Sequence, residues 1–286
     1  MRPAERYEAF LLDLDGVVYR GTEALPGAAE AITELKHAGR RVLFLTNNSA
    51  RTAAQVADRL VAMGIDAAPE DVLTSAQATA AMIAADARRS GRPATAFVVG
   101  EEGLDGALRD AGIDTRDGEA PGYVVVGWDR GIDFGKLRRA SVLVRSGATL
   151  VASNADATYP APGGELWPGA GSLLAAVETA SGRRADVVGK PHRPMFDAAV
   201  ERVATRDALV VGDRLETDVA GAVGAGLDAA FVLSGAGTLA DLPDHEAQPH
   251  LVLRNLAAVL DERCDARLRR ARPEDADAVG SLLEAA

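Results

Sequence analysis

Phe10-Leu11-Leu12-Asp13-Leu14-Asp15-Gly16 ends the chain's first apolar run with two carboxylates one residue apart. The run is short, aliphatic and closed by a glycine turn, which predicts a buried parallel strand. Side chains at i and i+2 of a strand point to the same side. Asp13 and Asp15 therefore converge at the strand's carboxyl end, where open α/β sheets place their ligands. Like charges that close repel strongly, and a fold seldom keeps them without a cation or a reaction.

Outward from this run, short apolar segments alternate with helical ones. A helix over about 27–38 leads to a second strand at Arg41-Val42-Leu43-Phe44-Leu45-Thr46, followed by an amphipathic helix over 52–63 that carries Val56, Leu60 and Met63 at helical spacing. Leu209-Val210-Val211-Gly212 and Ala230-Phe231-Val232-Leu233 predict further strands around a helix near 217–223. This βαβα order implies an α/β fold with a doubly wound parallel sheet. Between the halves, Phe97-Val98-Val99, Tyr123-Val124-Val125-Val126 and Leu150-Val151 repeat the pattern on their own. The gap is far too long for a loop. It predicts a core domain of residues 1–76 and 186–262, an inserted α/β domain over 77–185 hinged near Thr74-Ser75 and Arg183, and a tail over 263–286.

Composition bounds the function. The chain has 286 residues, is 48% hydrophobic and carries a net charge of −11, so it can bury a large core but has no basic surplus for nucleic acid or an anionic membrane. No apolar stretch approaches the roughly 20 residues of a membrane span, and the polar opening Met1 to Glu8 does not resemble a signal peptide. Cys264 is the only cysteine, which excludes an internal disulfide and suits a reducing compartment. The expectation is a cytoplasmic protein.

Other polar clusters fall at predicted strand ends. Thr46-Asn47-Asn48-Ser49 offers a hydroxyl, amides and backbone N–H groups to an anion, while Ser49 would also serve as a helix cap. In Gly189-Lys190-Pro191-His192, following a weak strand at 186–188, the lysine sits on a stiff turn but alone is equally a solvated surface residue. In Gly212-Asp213-Arg214-Leu215-Glu216-Thr217-Asp218, Asp213 leaves a strand and Asp218 lies in the next helix's first turn. These could be a cap and a dipole partner, but with Asp13 and Asp15 they make an oxygen-rich site suited to Mg²⁺. The four histidines show no metal spacing: His37 reads as helix surface and His192 as at most a neighbour of the site.

Taken in order, Asp13 to Gly21, Thr46 to Ser49, Lys190 and Gly212 to Asp218 resemble the four motifs of haloacid dehalogenase-type phosphatases. They most resemble the class IIA, phosphoglycolate phosphatase-like subclass, whose large cap domain is inserted between the second and third motifs, where the 77–185 block falls. Asn154-Ala155-Asp156-Ala157-Thr158-Tyr159-Pro160 is similar to a cap segment that lies over the substrate in that subclass. The resemblance implies that Asp13 attacks phosphorus to form an aspartyl-phosphate and that Asp15 acts as acid, then base. It further implies that Thr46, Asn47, Asn48 and Lys190 hold the phosphoryl group, with Asn154 and Tyr159 contacting substrate from the cap. Asp13, the Asp15 carbonyl, Asp213 and Asp218 would hold Mg²⁺.

The implied substrate is a small phosphomonoester, since a cap encloses a small site. Arg267-Leu268-Arg269-Arg270-Ala271-Arg272-Pro273-Glu274-Asp275-Ala276-Asp277 resembles the opening of a GCN5-like acetyltransferase, a fusion that resembles the actinobacterial glycerol-3-phosphate phosphatases. A plain C-terminal helix gives the same pattern, and too little chain follows for an acetyl-CoA site. Glycerol 3-phosphate is accordingly the expected substrate. Phosphoglycolate, pyridoxal phosphate, nucleotides and aryl phosphates are the alternatives, and a homodimer through the cap is the assembly considered. An aspartyl-phosphate receiver domain shares the acidic cluster, Thr and Lys, but neither the insertion of roughly 110 residues nor the acid at Asp15. A phosphomutase shares the first chemical step and would release no inorganic phosphate.

Overall fold

In the computed structural model, which describes residues 2–116, 118–161, 164–243 and 245–261, the run around Leu11 is a central strand of a parallel sheet. A short helix α1 (Pro3–Arg6) precedes β1 (Ala9–Asp13). The hairpin β2 (Tyr19–Arg20) and β3 (Glu23–Ala24) follows, then α2 (Ala28–His37), β4 (Arg41–Thr46), α3 (Ala53–Ala62), β5 (Val72–Thr74) and α4 (Ser75–Ser90). A second unit holds β6 (Ala96–Val99), α5 (Glu102–Asp110), β7 (Tyr123–Val126), α6 (Phe134–Arg145), β8 (Thr149–Ala152), the hairpin β9 (Thr158–Pro160) and β10 (Leu166–Pro168), α7 (Ala170–Ser181) and β11 (Asp186–Val187). The chain returns through α8 (Arg193–Val203), β12 (Ala208–Gly212), a π-helical turn at Leu215–Val219, α9 (Ala220–Gly224), β13 (Asp228–Val232) and β14 (Leu251–Leu253).

The larger sheet has the order β14-β13-β12-β1-β4-β5, with every pairing parallel. Leu11 pairs with Leu43 on one side and Val210 on the other. Along β1 the side chains alternate between two cores rather than between core and water, which is why the strand reads as an unbroken apolar run. Ala9 and Leu11 join Leu45, Met195, Phe196 and Phe231 on one face, while Phe10 and Leu12 join Ile32, Leu35, Phe44 and Leu60 on the other. Each of the leucine, isoleucine, methionine and phenylalanine side chains contributes roughly 1.5–3 kcal/mol of burial, so the carboxyl ends of β1, β4 and β12 rest on a stiff platform.

The inserted unit carries its own parallel sheet, β11-β8-β7-β6. Its expected borders shift at both ends. Asp186 and Val187 pair with Val151 and Ala152, so this strand belongs to the inserted sheet and not to the core, and the crossing falls just before Lys190 rather than near Arg183. At the other border no break separates residue 76 from 77. Helix α4 starts directly after Thr74, whose hydroxyl caps it by accepting from the Gln77 N–H at 3.2 Å. Ile83 of that helix shares a buried cluster with both Leu11 and Leu104, so α4 ties the two units together.

Other expectations are refined. Thr52, not Ser49, caps α3, accepting from the Gln55 N–H at 3.2 Å, because the chain first bends at Ala50 and Arg51. The helix expected near 217–223 is a π-helical turn followed by the short α9. Strands β5 and β14 and the β9–β10 hairpin, three residues per strand, are additional to the expected set. His37 is exposed on α2, as expected. The acetyltransferase-like reading of residues 263–286, and Cys264, lie outside the described residues. Among the described residues no helix is long and apolar enough to cross a membrane.

Candidate active site

The expected cluster assembles at the carboxyl edge of the larger sheet. Asp13 is the last residue of β1, Thr46 the last of β4, and Asp213 follows β12 directly. Lys190 arrives on the turn between β11 and α8, and Asp218 on the π-helical turn. Carboxylate oxygens of Asp13, Asp213 and Asp218 lie within 4.8 Å of one another. The Lys190 ammonium donates to Asp218 Oδ1 at 2.7 Å and also to Asp13 Oδ1. Lys190 and Asp218 are buried, with side chains 4% and 2% exposed, while Asp13 keeps a 16% opening to solvent.

Backbone geometry builds this crowding. Gly16, three residues after Asp13 on the turn, has φ +83°, and a Cβ there would sit 2.4 Å from Asp213 Oδ2. A Cβ on Gly189 would sit 2.5 Å from the Ser153 carbonyl oxygen and 2.7 Å from Asn47 Oδ1, so only glycine lets Lys190 approach. Asp213 is held by the Ala236 N–H at 2.7 Å, and Asp218 Oδ2 accepts from the Arg214 N–H at 3.2 Å.

Electrostatics follow from burial. Burial pushes the Asp13 carboxyl up to about 7, with Asp218 and Asp213 adding and Lys190 opposing. Asp213 is raised by burial and then by Asp218. Burial by itself would lower the Lys190 ammonium, but Asp13 and Asp218 outweigh it and hold the proton firmly on. Asp15 is the more solvent-exposed of the opening pair, yet enough protein surrounds its carboxyl to raise it, against Arg59, Arg214 and Arg20. Asp15 also bridges to Tyr19 of β2, and Arg59 stacks over the Tyr19 ring at 4.5 Å.

The amide-bearing residues are engaged with neighbouring protein groups. Asn48 Oδ1 accepts from the Ala50 N–H at 2.9 Å, an Asx turn. Asn47 spends both ends of its amide on Lys190, accepting from the Lys190 N–H at 2.8 Å and donating to the Lys190 carbonyl at 3.0 Å. Asn154 is buried, donates to the Asn47 carbonyl at 2.7 Å and accepts from the Asp156 N–H at 3.1 Å. These three side chains, for which the resemblance implies substrate contacts, also bind protein, since each lies at a strand-end turn whose backbone polar groups need partners. Thr46 does fit an anion contact: it is 9% exposed and accepts from the Asn48 N–H at 3.1 Å, which leaves its hydroxyl proton to give. Tyr159 on β9 stacks on Trp128, centroids 4.0 Å apart, and lies within electrostatic reach of Tyr19. His192 is exposed at the start of α8 and makes no contact with the cluster among the described hydrogen bonds.

Two features escaped the sequence reading. Ser49 and Ser153 form a buried hydroxyl pair at 2.9 Å that pins the turn after β4 to the end of β8. Asp156 reaches Asn47 Nδ2 with both oxygens, at 3.3 and 3.2 Å, and burial raises its carboxyl. The sequence signal for it is its place within the Asn154 to Pro160 segment, in which the resemblance singles out only Asn154 and Tyr159.

A doubly wound core with an inserted α/β cap and an Asp-Lys-Asp cluster at its strand ends defines the class. Residues 10–114 match the haloacid dehalogenase-like hydrolase family and residues 187–259 match a second family, HAD-hydrolase-like. The chain belongs to the haloacid dehalogenase-like hydrolases and, among them, to the class IIA phosphatases; it is a phosphomonoester hydrolase. It is 34% identical to the acid sugar phosphatase of Staphylococcus haemolyticus over 90% of this chain and 97% of that protein. Among solved structures, a glycerol phosphate phosphatase from Mycobacterium tuberculosis in complex with magnesium is similar with TM-score 0.85 and 36% identity, over 91% of this chain and 78% of that one. The 4-nitrophenylphosphatase of Thermotoga maritima is similar with TM-score 0.82 and 34% identity, over 91% of this chain and 98% of that one.

Proposed function

We propose that this phosphatase uses Mg²⁺ to hydrolyse a small phosphomonoester, glycerol 3-phosphate, through a phosphoryl group carried covalently on Asp13. The observation that carries the reading is the Lys190 ammonium held between Asp13 and Asp218 beside Asp213. Three carboxylates packed within 4.8 Å with one lysine between them fit a hard divalent cation. Asp13, Asp213, Asp218 and the Asp15 carbonyl would hold it, and a bound Mg²⁺ neutralises phosphoryl charge and orients the ester for in-line displacement.

The chain's own groups account for the remaining steps. An Asp13 oxygen attacks phosphorus as the ester P–O bond breaks, and Asp15 gives its proton to the departing alkoxide. Asp15 then takes a proton from water, which attacks phosphorus and returns Asp13 as a carboxylate with release of orthophosphate. Thr46 and Lys190 donate to the equatorial phosphoryl oxygens, where transition-state charge spreads. The raised Asp15 suits a proton donor.

Likeness to the mycobacterial glycerol phosphate phosphatase supports glycerol 3-phosphate, and likeness to the staphylococcal acid sugar phosphatase supports a sugar phosphate. Both are hydroxylated alkyl esters. The test is a kcat/KM panel in Mg²⁺ with glycerol 3-phosphate, a hexose phosphate, phosphoglycolate, pyridoxal phosphate and a nucleoside monophosphate. Glycerol 3-phosphate is expected to lead. Preference for a hexose phosphate would establish the second reading, and preference for any other ester would remove both.

A further inference from the structure

We propose that Asn47 is a positioning residue that sets the Lys190 ammonium in place and makes that placement depend on the cap. Its amide grips both polar groups of the Lys190 backbone, Oδ1 on the N–H at 2.8 Å and Nδ2 on the carbonyl at 3.0 Å. A two-point grip fixes rotation as well as distance, which one hydrogen bond does not. The Asn47 carbonyl in turn accepts from Asn154 Nδ2 and from Ser75 Oγ, each at 2.7 Å. Ser75 opens α4, and Asn154 follows β8 of the cap sheet. The remaining reach of Nδ2 goes to both oxygens of the cap's Asp156, at 3.3 and 3.2 Å. One half-buried residue thus joins the β4 turn, the lysine turn, the start of α4 and the segment leading into the β9–β10 hairpin, through its side chain to Lys190 and Asp156 and through its carbonyl to Ser75 and Asn154. Movement of that hairpin segment pulls on the same amide that holds Lys190.

This inference rests on the assignment of Lys190 to the phosphoryl group, and its test separates the two. With 4-nitrophenyl phosphate and Mg²⁺, Asn47→Ala is expected to lower kcat about 100-fold, the effect of misplacing a catalytic group by an ångström, while KM stays within about threefold. Labelling by acetic anhydride, read by mass spectrometry against Lys36, should become about tenfold faster at Lys190 in the same variant, since a released side chain leaves a buried position for solvent. Asn47→Asp faces Asp156 with a like charge and should lose about 100-fold in kcat/KM; adding Asp156→Asn restores a donor–acceptor pair and should recover at least about tenfold. If KM and the orthophosphate inhibition constant instead rise together while Lys190 labelling stays at the wild-type rate, Asn47 binds phosphate itself and the proposal fails. If the double variant is no better than N47D, the coupling to the cap fails. Faster labelling in N47A with no phosphomonoester turnover by the wild type would uphold the positioning role and remove the phosphoryl role of Lys190.

Discussion

Lys190 and Asp218 form a buried ion pair at 2.7 Å, across 28 residues of sequence and with almost no solvent on either side chain. Removing one partner of such a pair leaves an uncompensated buried charge, which costs about 3–5 kcal/mol. Lys190→Ala therefore should lose about that much stability in addition to at least about 100-fold in kcat. Urea unfolding at pH 7.5 in EDTA measures the first; a loss below about 1 kcal/mol would mean that water reaches the cluster and the pair is screened.

Asp13→Asn should behave in the opposite way. Asp13 sits at about 7 in the folded chain, against about 3.9 when unfolded. A group raised on folding contributes stability that is complete below the unfolded value and lost as pH rises through the folded one. Metal-free wild type should thus lose stability between about pH 4 and 7, and the neutral amide should flatten that decline while turnover drops by about 1000-fold or more. Thermal melts of both proteins across this range check the sign. A variant that melts well below wild type at pH 8 would show that the Lys190 contact outweighs the repulsion.

Magnesium should reverse the same decline. A dication among Asp13, Asp213 and Asp218 favours their charged forms, so its stabilisation should grow from pH 5 to pH 8. At a hundredfold excess over its Kd, one site contributes about 2.7 kcal/mol. Melts with Mg²⁺ and with EDTA at the two pH values measure the increment. An equal shift at both would place the cation away from the raised carboxylates.

The sequence made Asp13, Asp15, Lys190, Asp213 and Asp218 legible because strand-end polar residues interrupt apolar runs, and a parallel sheet gathers its carboxyl ends. The placement of β11 was less legible. A two-residue strand carries too little pattern to say which sheet it extends, and its partner Val151 is 35 residues away. The roles of Asn47, Asn48 and Asn154 were hidden for a related reason. An amide that feeds a ligand and one that satisfies a neighbouring backbone look the same in sequence, and only the Lys190 and Asp156 contacts distinguish them.

Asp15→Asn should separate the two halves of the reaction by leaving group. An alkyl ester such as glycerol 3-phosphate needs its departing oxygen protonated, so loss of the acid should cost about 10²–10⁴-fold. The 4-nitrophenolate ion leaves without a proton, so Asp13 should still be phosphorylated by 4-nitrophenyl phosphate. Hydrolysis of that intermediate also needs Asp15, now as base, and should stall. Stopped-flow absorbance should therefore show a burst of about one nitrophenolate per chain followed by slow turnover, the signature of a covalent intermediate that accumulates. Intact mass taken after the burst should show one added phosphoryl group, absent when Asp13→Asn is introduced as well. Equal losses on both esters, without a burst, would remove the proton-transfer role from Asp15.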